Sequence, residues 1–348
     1  MITDYNLQIL IEPLLHWFAG HARVLPWREE PTPYRVWVSE IMLQQTRVEA
    51  VKPYFERFTK RLPDVEALAE CPEDELLKLW EGLGYYNRVR NMQKAAIQVM
   101  EEHGGKLPAD YEKLLKLKGI GSYTAGAIAS ICFERPAAAV DGNVLRVCAR
   151  VLDDTTPIDN AAHKTALTAA LSACYPAGHC GDFTQALMEL GATVCGPNRA
   201  PQCADCPIAA LCLARAHGTA SALPVKAPKR AKRAEEHTVF CLRCGDRLAV
   251  ERRPDSGLLA GLWQLPNTPG LLDERQAGAF ASGQGLGDVR LRSARDGRHI
   301  FTHIVWTMRC YTLECSAMPP QYRWAAPDEL RTEISLPTAF RQFLEDTY

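Results

Sequence analysis

The run Leu117-Lys118-Gly119-Ile120-Gly121-Ser122, opening into the apolar stretch Tyr123-Thr124-Ala125-Gly126-Ala127-Ile128-Ala129-Ser130, constrains this chain more than any other segment. Two glycines one residue apart let the backbone turn tightly between two helices. The turn aims free amides at a phosphate beside the positive end of the second helix. Lys118, Gly119, Gly121 and Ser122 are therefore the candidate phosphate contacts. A lone G-x-G turn also serves as an ordinary helix connection, so its neighbours must decide. Val140-Asp141-Gly142-Asn143 follows closely. Asp141 has the place of an N-cap for a helix beginning near Val144, and it sets a carboxylate where a nucleotide sugar would lie.

A chain of 348 residues with 47% hydrophobic and 23% charged content accommodates two or three ordinary globular domains. Its formal net charge of -1 argues against a uniformly basic nucleic-acid binder but leaves room for a local basic face. There is no secretory pattern at the start and no apolar run of about eighteen residues, so no membrane span is expected. The expectation is an intracellular monomer, cytoplasmic and nucleoid-associated in a bacterium. Thirteen cysteines in such a setting favour metal ligation or buried thiols over disulfides. Four of them, Cys195-x7-Cys203-x2-Cys206-x5-Cys212, form an all-thiolate set that suits an iron-sulfur cluster or a four-thiolate zinc site. Cys241 and Cys244, with Cys310 and Cys315 more distant, read as core or surface thiols.

Apolar residues recur at three and four in the first part of the chain, which predicts an all-helical domain over 1–216. Residues 217–235 combine small residues, prolines and five basic side chains between Lys226 and Arg233, the composition of a basic linker. Beyond it the period changes to alternation in HTVFCLRCGDRLAV and RHIFTHIVWTMRCYTLEC, with short helical stretches between, predicting a mixed α/β domain over 236–348.

Glu40 lies within the apolar helical run VWVSEIMLQQT, where partial desolvation would raise its pKa and make it a proton donor near neutrality. A surface glutamate is the plain alternative. Two carboxylates in different environments suit glycosidic cleavage: Glu40 would protonate the leaving group while Asp141 faces an oxocarbenium-like sugar. The phosphate-binding turn nominates a nucleic acid as the carrier of that sugar, and a buried base would first have to leave the stack. Gln44-Gln45 and Gly84-Tyr85-Tyr86 offer amides and aromatics to fill or wedge the gap.

On LPWR at 25–28, VWVSEIMLQQTRV at 36–48, GLGYYNRVRN at 82–91, LKGIGSYTAGAIAS, VDGNVLRV at 140–147 and ELGATVC at 189–195, the N-terminal domain resembles the adenine DNA glycosylases of the MutY type. These belong to the helix-hairpin-helix superfamily that includes endonuclease III. GLLAGLWQLP at 257–266 and HIFTH at 299–303 are similar to that family's MutT-like (Nudix-like) module. The resemblance implies a helical glycosylase domain with a 4Fe-4S cluster loop and a smaller α/β module that recognises the lesion. It also implies removal of adenine paired with 8-oxoguanine, and with guanine, from double-stranded DNA. It casts Glu40 as the acid that protonates adenine N7 and Asp141 as the stabiliser of the sugar cation, supported by Tyr123 and Asn143. Arg23, Trp27, Arg28 and Gln185 would line the adenine pocket. Gln45, Thr46, Leu83 and Tyr85 would probe or replace the base stack, with Thr302 and His303 on the oxidised base. Cys195, Cys203, Cys206 and Cys212 would hold the cluster. Tyr123 stands where bifunctional relatives place a lysine, so a monofunctional enzyme that leaves an abasic site is expected.

Two other classes compete. A nucleotide pyrophosphatase would need an array of glutamates holding magnesium, and residues 270–285 supply only Asp273 and Glu274. A noncatalytic DNA-binding scaffold would need neither Glu40 nor Asp141.

Overall fold

A computed structural model describes residues 6–197, 200–228 and 231–344. The chain forms two compact units, and they do not follow simple sequence order: 6–71 and 87–228 make the first, while 72–86 joins 231–344 in the second.

The first unit is helical. Its elements are α1 (Ile11–His21), α2 (Pro26–Glu29), α3 (Pro33–Leu43), α4 (Val48–Arg61) and α5 (Val65–Glu70). After α6 (Glu73–Leu79), which belongs to the second unit, come α7 (Asn87–His103), α8 (Tyr111–Lys116), α9 (Ser122–Phe133), α10 (Gly142–Val151), α11 (Ala161–Ala173), α12 (Cys180–Thr193) and α13 (Leu213–Ala216). The starts are written locally: Asp64 accepts the Ala67 amide at 2.9 Å and Asp110 the Lys113 amide at 2.8 Å, satisfying N–H groups that a helix start leaves open. α9 is buried from Thr124 to Ser130, the mark of a central helix, and packs against α3, α8 and α12. Gly126 makes that centrality possible, because a Cβ there would stand 2.5 Å from the Ala138 carbonyl oxygen. A core of Leu10, Leu14, Val144, Val147, Phe183 and Leu187 fastens α1, α10 and α12 together.

The stretch 217–228, expected as linker, lies instead along this helical unit. Arg150 Nε donates to the Leu223 carbonyl at 3.0 Å and the Ile158 amide to the Val225 carbonyl at 3.0 Å. Leu223 is itself 4% exposed, so apolar burial and main-chain bonding override the linker-like composition. Lys229 and Arg230 of the basic run lie outside the described residues.

The second unit is built on a mixed sheet of β1 (Arg233–Cys244), β2 (Arg247–Arg252), β3 (Trp263–Gln264), β4 (Asn267–Pro269), β5 (Val289–Ile300), β6 (Ile304–Cys315) and β7 (Arg323–Ala325). β1 runs parallel to β6, while β2 and β4 pair antiparallel with β1, and β5 with β6. Alternation divides the strand side chains. Val239, Cys241, Met308 and Cys310 face α15 (Pro327–Thr332) and α16 (Thr338–Arg341), whereas Phe240, Leu242, Tyr311 and Leu313 face α14 (Glu274–Ser282). The sheet is therefore covered on both sides, as its apolar β1 requires.

Gly126→Ala should lower the stability of the helical unit by about 1–3 kcal/mol, because the added methyl meets backbone that has little room to yield. A thermal midpoint equal to that of the unaltered protein would show that the contact relaxes freely.

Candidate active site

α3 carries Glu40 to the wall of an open cavity of about 580 Å³ within the helical unit. Tyr123, Asp141, Asn143, Arg23, Trp27, Arg28, Gln45, Thr46 and Gln185 line the same cavity, so the catalytic and adenine-pocket candidates converge there.

Glu40 is 6% exposed. Burial pushes its carboxyl up to about 7, the Tyr123 hydrogen bond pulls it down, the Asp141 carboxylate pushes it further up, and Arg28 opposes that. The carboxyl is thus poised near neutrality, the range that suits a general acid. Tyr123 donates its hydroxyl to Glu40 Oε2. Burial, together with the charges of Glu40 and Asp141, holds the phenol well above its ordinary value, so it remains a donor.

Asp141 caps α10 as its position in the sequence suggested, and the helix begins at Gly142. Its Oδ1 accepts the amides of Asn143 and Val144 at 2.8 Å each, and its Oδ2 accepts Asn143 Nδ2 at 2.7 Å. Burial raises its pKa, while these three donors and Arg146 work the other way by favouring the ionised form. One carboxylate therefore starts a helix and also presents negative charge to the cavity.

Sequence reasoning missed three residues here. Glu189, 1% exposed, follows Gln185 by one helical turn on α12 and pairs with Arg23 Nε at 2.5 Å and Arg28 Nη2 at 2.9 Å. Its pKa is lowered despite burial because those two guanidiniums hold its charge. The four-residue spacing from Gln185 was the available signal. Arg146, 6% exposed, donates to Asn143 Oδ1 at 2.8 Å, to the Gly191 carbonyl at 2.7 Å and to the Cys195 carbonyl at 2.8 Å. Arg150, 3% exposed, reaches Cys195 Sγ at 3.2 Å. Two buried arginines on α10 thereby connect the Asp141–Asn143 corner to the cysteine loop.

The hairpin turn between α8 and α9 has the expected form. Gly119 takes φ +78°, where a Cβ would come 2.7 Å from Asn91 Cβ, and the Lys118 amide bonds Gln98 Oε1 at 2.8 Å. Gly121 is the N-cap of α9, with no side-chain cap and no acidic residue in the first turn, so the positive helix end with exposed Gly121 and Ser122 is open to an anion.

The remaining candidates belong to the second unit. Tyr85, 49% exposed with φ +49°, shares a 2.9 Å hydrogen bond between its hydroxyl and Thr302 Oγ1. Thr302 and His303 are exposed in the turn between β5 and β6, and the His303 carbonyl accepts the Arg233 amide at 2.9 Å. Leu83 is 7% exposed. The Asp273 carboxylate caps α14 by accepting the Gln276 amide at 2.8 Å.

Cys195, Cys203, Cys206 and Cys212 line one pocket. Burial pushes the Cys206 thiol up to about 11, with Cys195, Cys212 and Cys203 adding to the rise. Among the described residues no three His, Cys, Asp or Glu side chains close around a point that would hold a metal ion. A donor set of four thiolates has the chemistry of an iron-sulfur cluster or a four-thiolate zinc site.

Residues 38–168 match the model of the HhH-GPD superfamily base excision DNA repair proteins, and 238–346 match the NUDIX domain. A solved thermostable thymine-DNA glycosylase is 28% identical with a TM-score of 0.55, over 60% of this chain and 96% of its own. An endonuclease III in a non-covalent DNA complex, 22% identical, shares the fold at a TM-score of 0.52 over 63% of this chain and 98% of its own. With the acid and the carboxylate in one cavity beside the hairpin, the fold and site define a helix-hairpin-helix DNA N-glycosylase joined to a Nudix-like unit. The adenine DNA glycosylase of Mus musculus is 36% identical over 91% of this chain and 73% of its own length, and that of Homo sapiens 35% over 92% and 70%. The chain belongs to the adenine DNA glycosylases, base-excision repair enzymes acting on DNA.

Glu40 contributes one part of the pH dependence of stability. Its pKa rises from 4.5 to about 7 on folding, so its contribution is fully present below pH 4.5 and is lost as pH rises through about 7. Relative to Glu40→Gln, the unaltered protein should lose up to roughly 3 kcal/mol across that interval in urea melts at a series of pH values. Parallel stability curves would contradict the assignment.

Proposed function

We propose that this enzyme excises adenine opposite 8-oxoguanine, and less readily opposite guanine, by flipping adenine into the cavity beside Glu40 and leaving an abasic site. The convergence of Glu40, Tyr123, Asp141 and Asn143 on one cavity carries the reading. Glu40 gives its proton to adenine N7, and the C1′–N9 bond then breaks with its electron pair passing to the base. The sugar cation faces Asp141, whose charge is held by the Asn143 and Val144 donors. The Glu40 carboxylate then takes a proton from water as the water oxygen adds to C1′, which restores the acid. Tyr123 orients Glu40 through its hydroxyl. A phenol does not form a Schiff base, so the strand is left uncut.

Arg23 and Arg28, fixed by Glu189, supply donors at the base end of the cavity. Tyr85 and Thr302, joined through their hydroxyls, offer donors and acceptors to an oxidised guanine. We further propose that Cys195, Cys203, Cys206 and Cys212 hold a 4Fe-4S cluster. When bound it would act as a covalent staple that closes the loop against Arg146 and Arg150.

On a duplex with one adenine opposite 8-oxoguanine, followed by alkali, Glu40→Gln should cut at least 10²-fold more slowly than the unaltered enzyme while still binding. Asp141→Asn should also be impaired, and equal cutting by all three proteins would end the catalytic assignment. Borohydride should trap no enzyme–DNA adduct with the unaltered protein. Protein prepared anaerobically should contain about four irons per chain, and Cys203→Ser should lose iron. A colourless, zinc-loaded protein would refute the cluster.

A further inference from the structure

The segment 72–86 lies early in the sequence yet is built into the second unit, and two charged side chains hold it there. Lys78 Nζ donates to the carbonyls of Leu330 at 2.8 Å and Ile334 at 3.0 Å and to Glu81 Oε2 at 2.8 Å. These are three acceptors for the three hydrogens of an ammonium. Glu81 turns its other oxygen to the Leu336 amide, 2.8 Å away. The two side chains are only 16% and 12% exposed, so the ion pair and its main-chain bonds are poorly screened. Every partner that Lys78 and Glu81 take from 330–336 is main chain, so the grip is on backbone geometry.

Immediately after Glu81 the backbone enters a loop that must be held. Gly82, Gly84 and Tyr85 take φ of +102°, +70° and +49°. Left-handed backbone at a tyrosine persists only where its surroundings impose it. Trp80 Nε1 donates to the Gly84 carbonyl at 3.0 Å, and Tyr85 meets Thr302 at the β5–β6 turn. The loop is therefore anchored at its root by Lys78 and Glu81 and at its tip by Thr302.

We propose that Lys78 and Glu81 are positioning residues that determine specificity for the base opposite adenine. They fix loop 82–86 to the fold that carries Thr302, so that Tyr85 and Thr302 meet that base as one rigid body. This rests on the reading of 8-oxoguanine as the preferred opposing base. Guanine lacks the oxidised position that Thr302 would engage, so loosening the loop costs the 8-oxoguanine substrate more.

The test uses the full chain with Lys78→Met, Lys78→Arg and Glu81→Gln. Single-turnover excision is measured with adenine opposite 8-oxoguanine and opposite guanine, and hydrogen exchange of amides 80–86 is measured without DNA. Lys78→Met should reduce the ratio of the two rates by roughly tenfold or more, speed exchange through 82–86, and be largely rescued by Lys78→Arg. Should Lys78→Met fail to fold, Glu81→Gln, which keeps an acceptor for the Leu336 amide, carries the same comparison. A folded variant that slows both substrates equally, or keeps both the ratio and slow exchange, overturns the proposal. If the unaltered enzyme does not prefer 8-oxoguanine, the reading of the opposing base falls and the specificity role falls with it. Exchange then separately decides positioning: faster exchange upholds it and unchanged exchange removes it.

Discussion

Withdrawing one carboxyl group from water is the constraint on which the helical unit is organised. Burial makes the Glu40 proton available near neutrality, and that burial needs a continuous apolar wall from α3 and α9. Gly126 lets the chain at Ala138 close in on α9, shaping the side of the cavity that leads to Asp141. An unpartnered buried acid would be a defect, and the Tyr123 hydroxyl prevents that. Nearby charge is also kept in balance, because Arg28 lowers the proton affinity that Asp141 raises and Glu189 holds Arg28 in place.

α10 shows how stability and chemistry use the same groups. The Asp141 carboxylate satisfies the first amides of the helix, and the helix then carries Arg146 and Arg150 inward to the loop of cysteines. Disturbing the loop would be felt along α10 through main-chain and side-chain hydrogen bonds. The four thiols around their cavity are accordingly a structural neighbour of the catalytic corner.

Much of the site was legible because its chemistry has local signatures. A glutamate in an apolar helical run, an aspartate before Gly-Asn, and a glycine at a left-handed turn each announce themselves within a few residues. The four cysteines of the spacing pattern do border one cavity. The illegible part depends on partners distant in sequence. Glu189 reads as a surface charge until Arg23 and Arg28 arrive from α2 and the segment before it. Arg146 and Arg150 look like the polar face of an amphipathic helix, yet most of their acceptors are carbonyls, and a carbonyl has no residue identity to recognise. The same holds for Lys78, whose two carbonyl partners lie over 250 positions away. The parallel pairing of β1 with β6 is hidden for a related reason, since alternation specifies a face but not a neighbour.

The discontinuous second unit also bears on how the protein is made. During synthesis α6 leaves the ribosome well before residues 330–336, whose main chain Lys78 and Glu81 bind, a delay on the order of ten seconds or more at about 5–20 residues per second. Lys78 and Glu81 are without those main-chain partners through that interval. The last third of the chain thus completes a structure begun in the first.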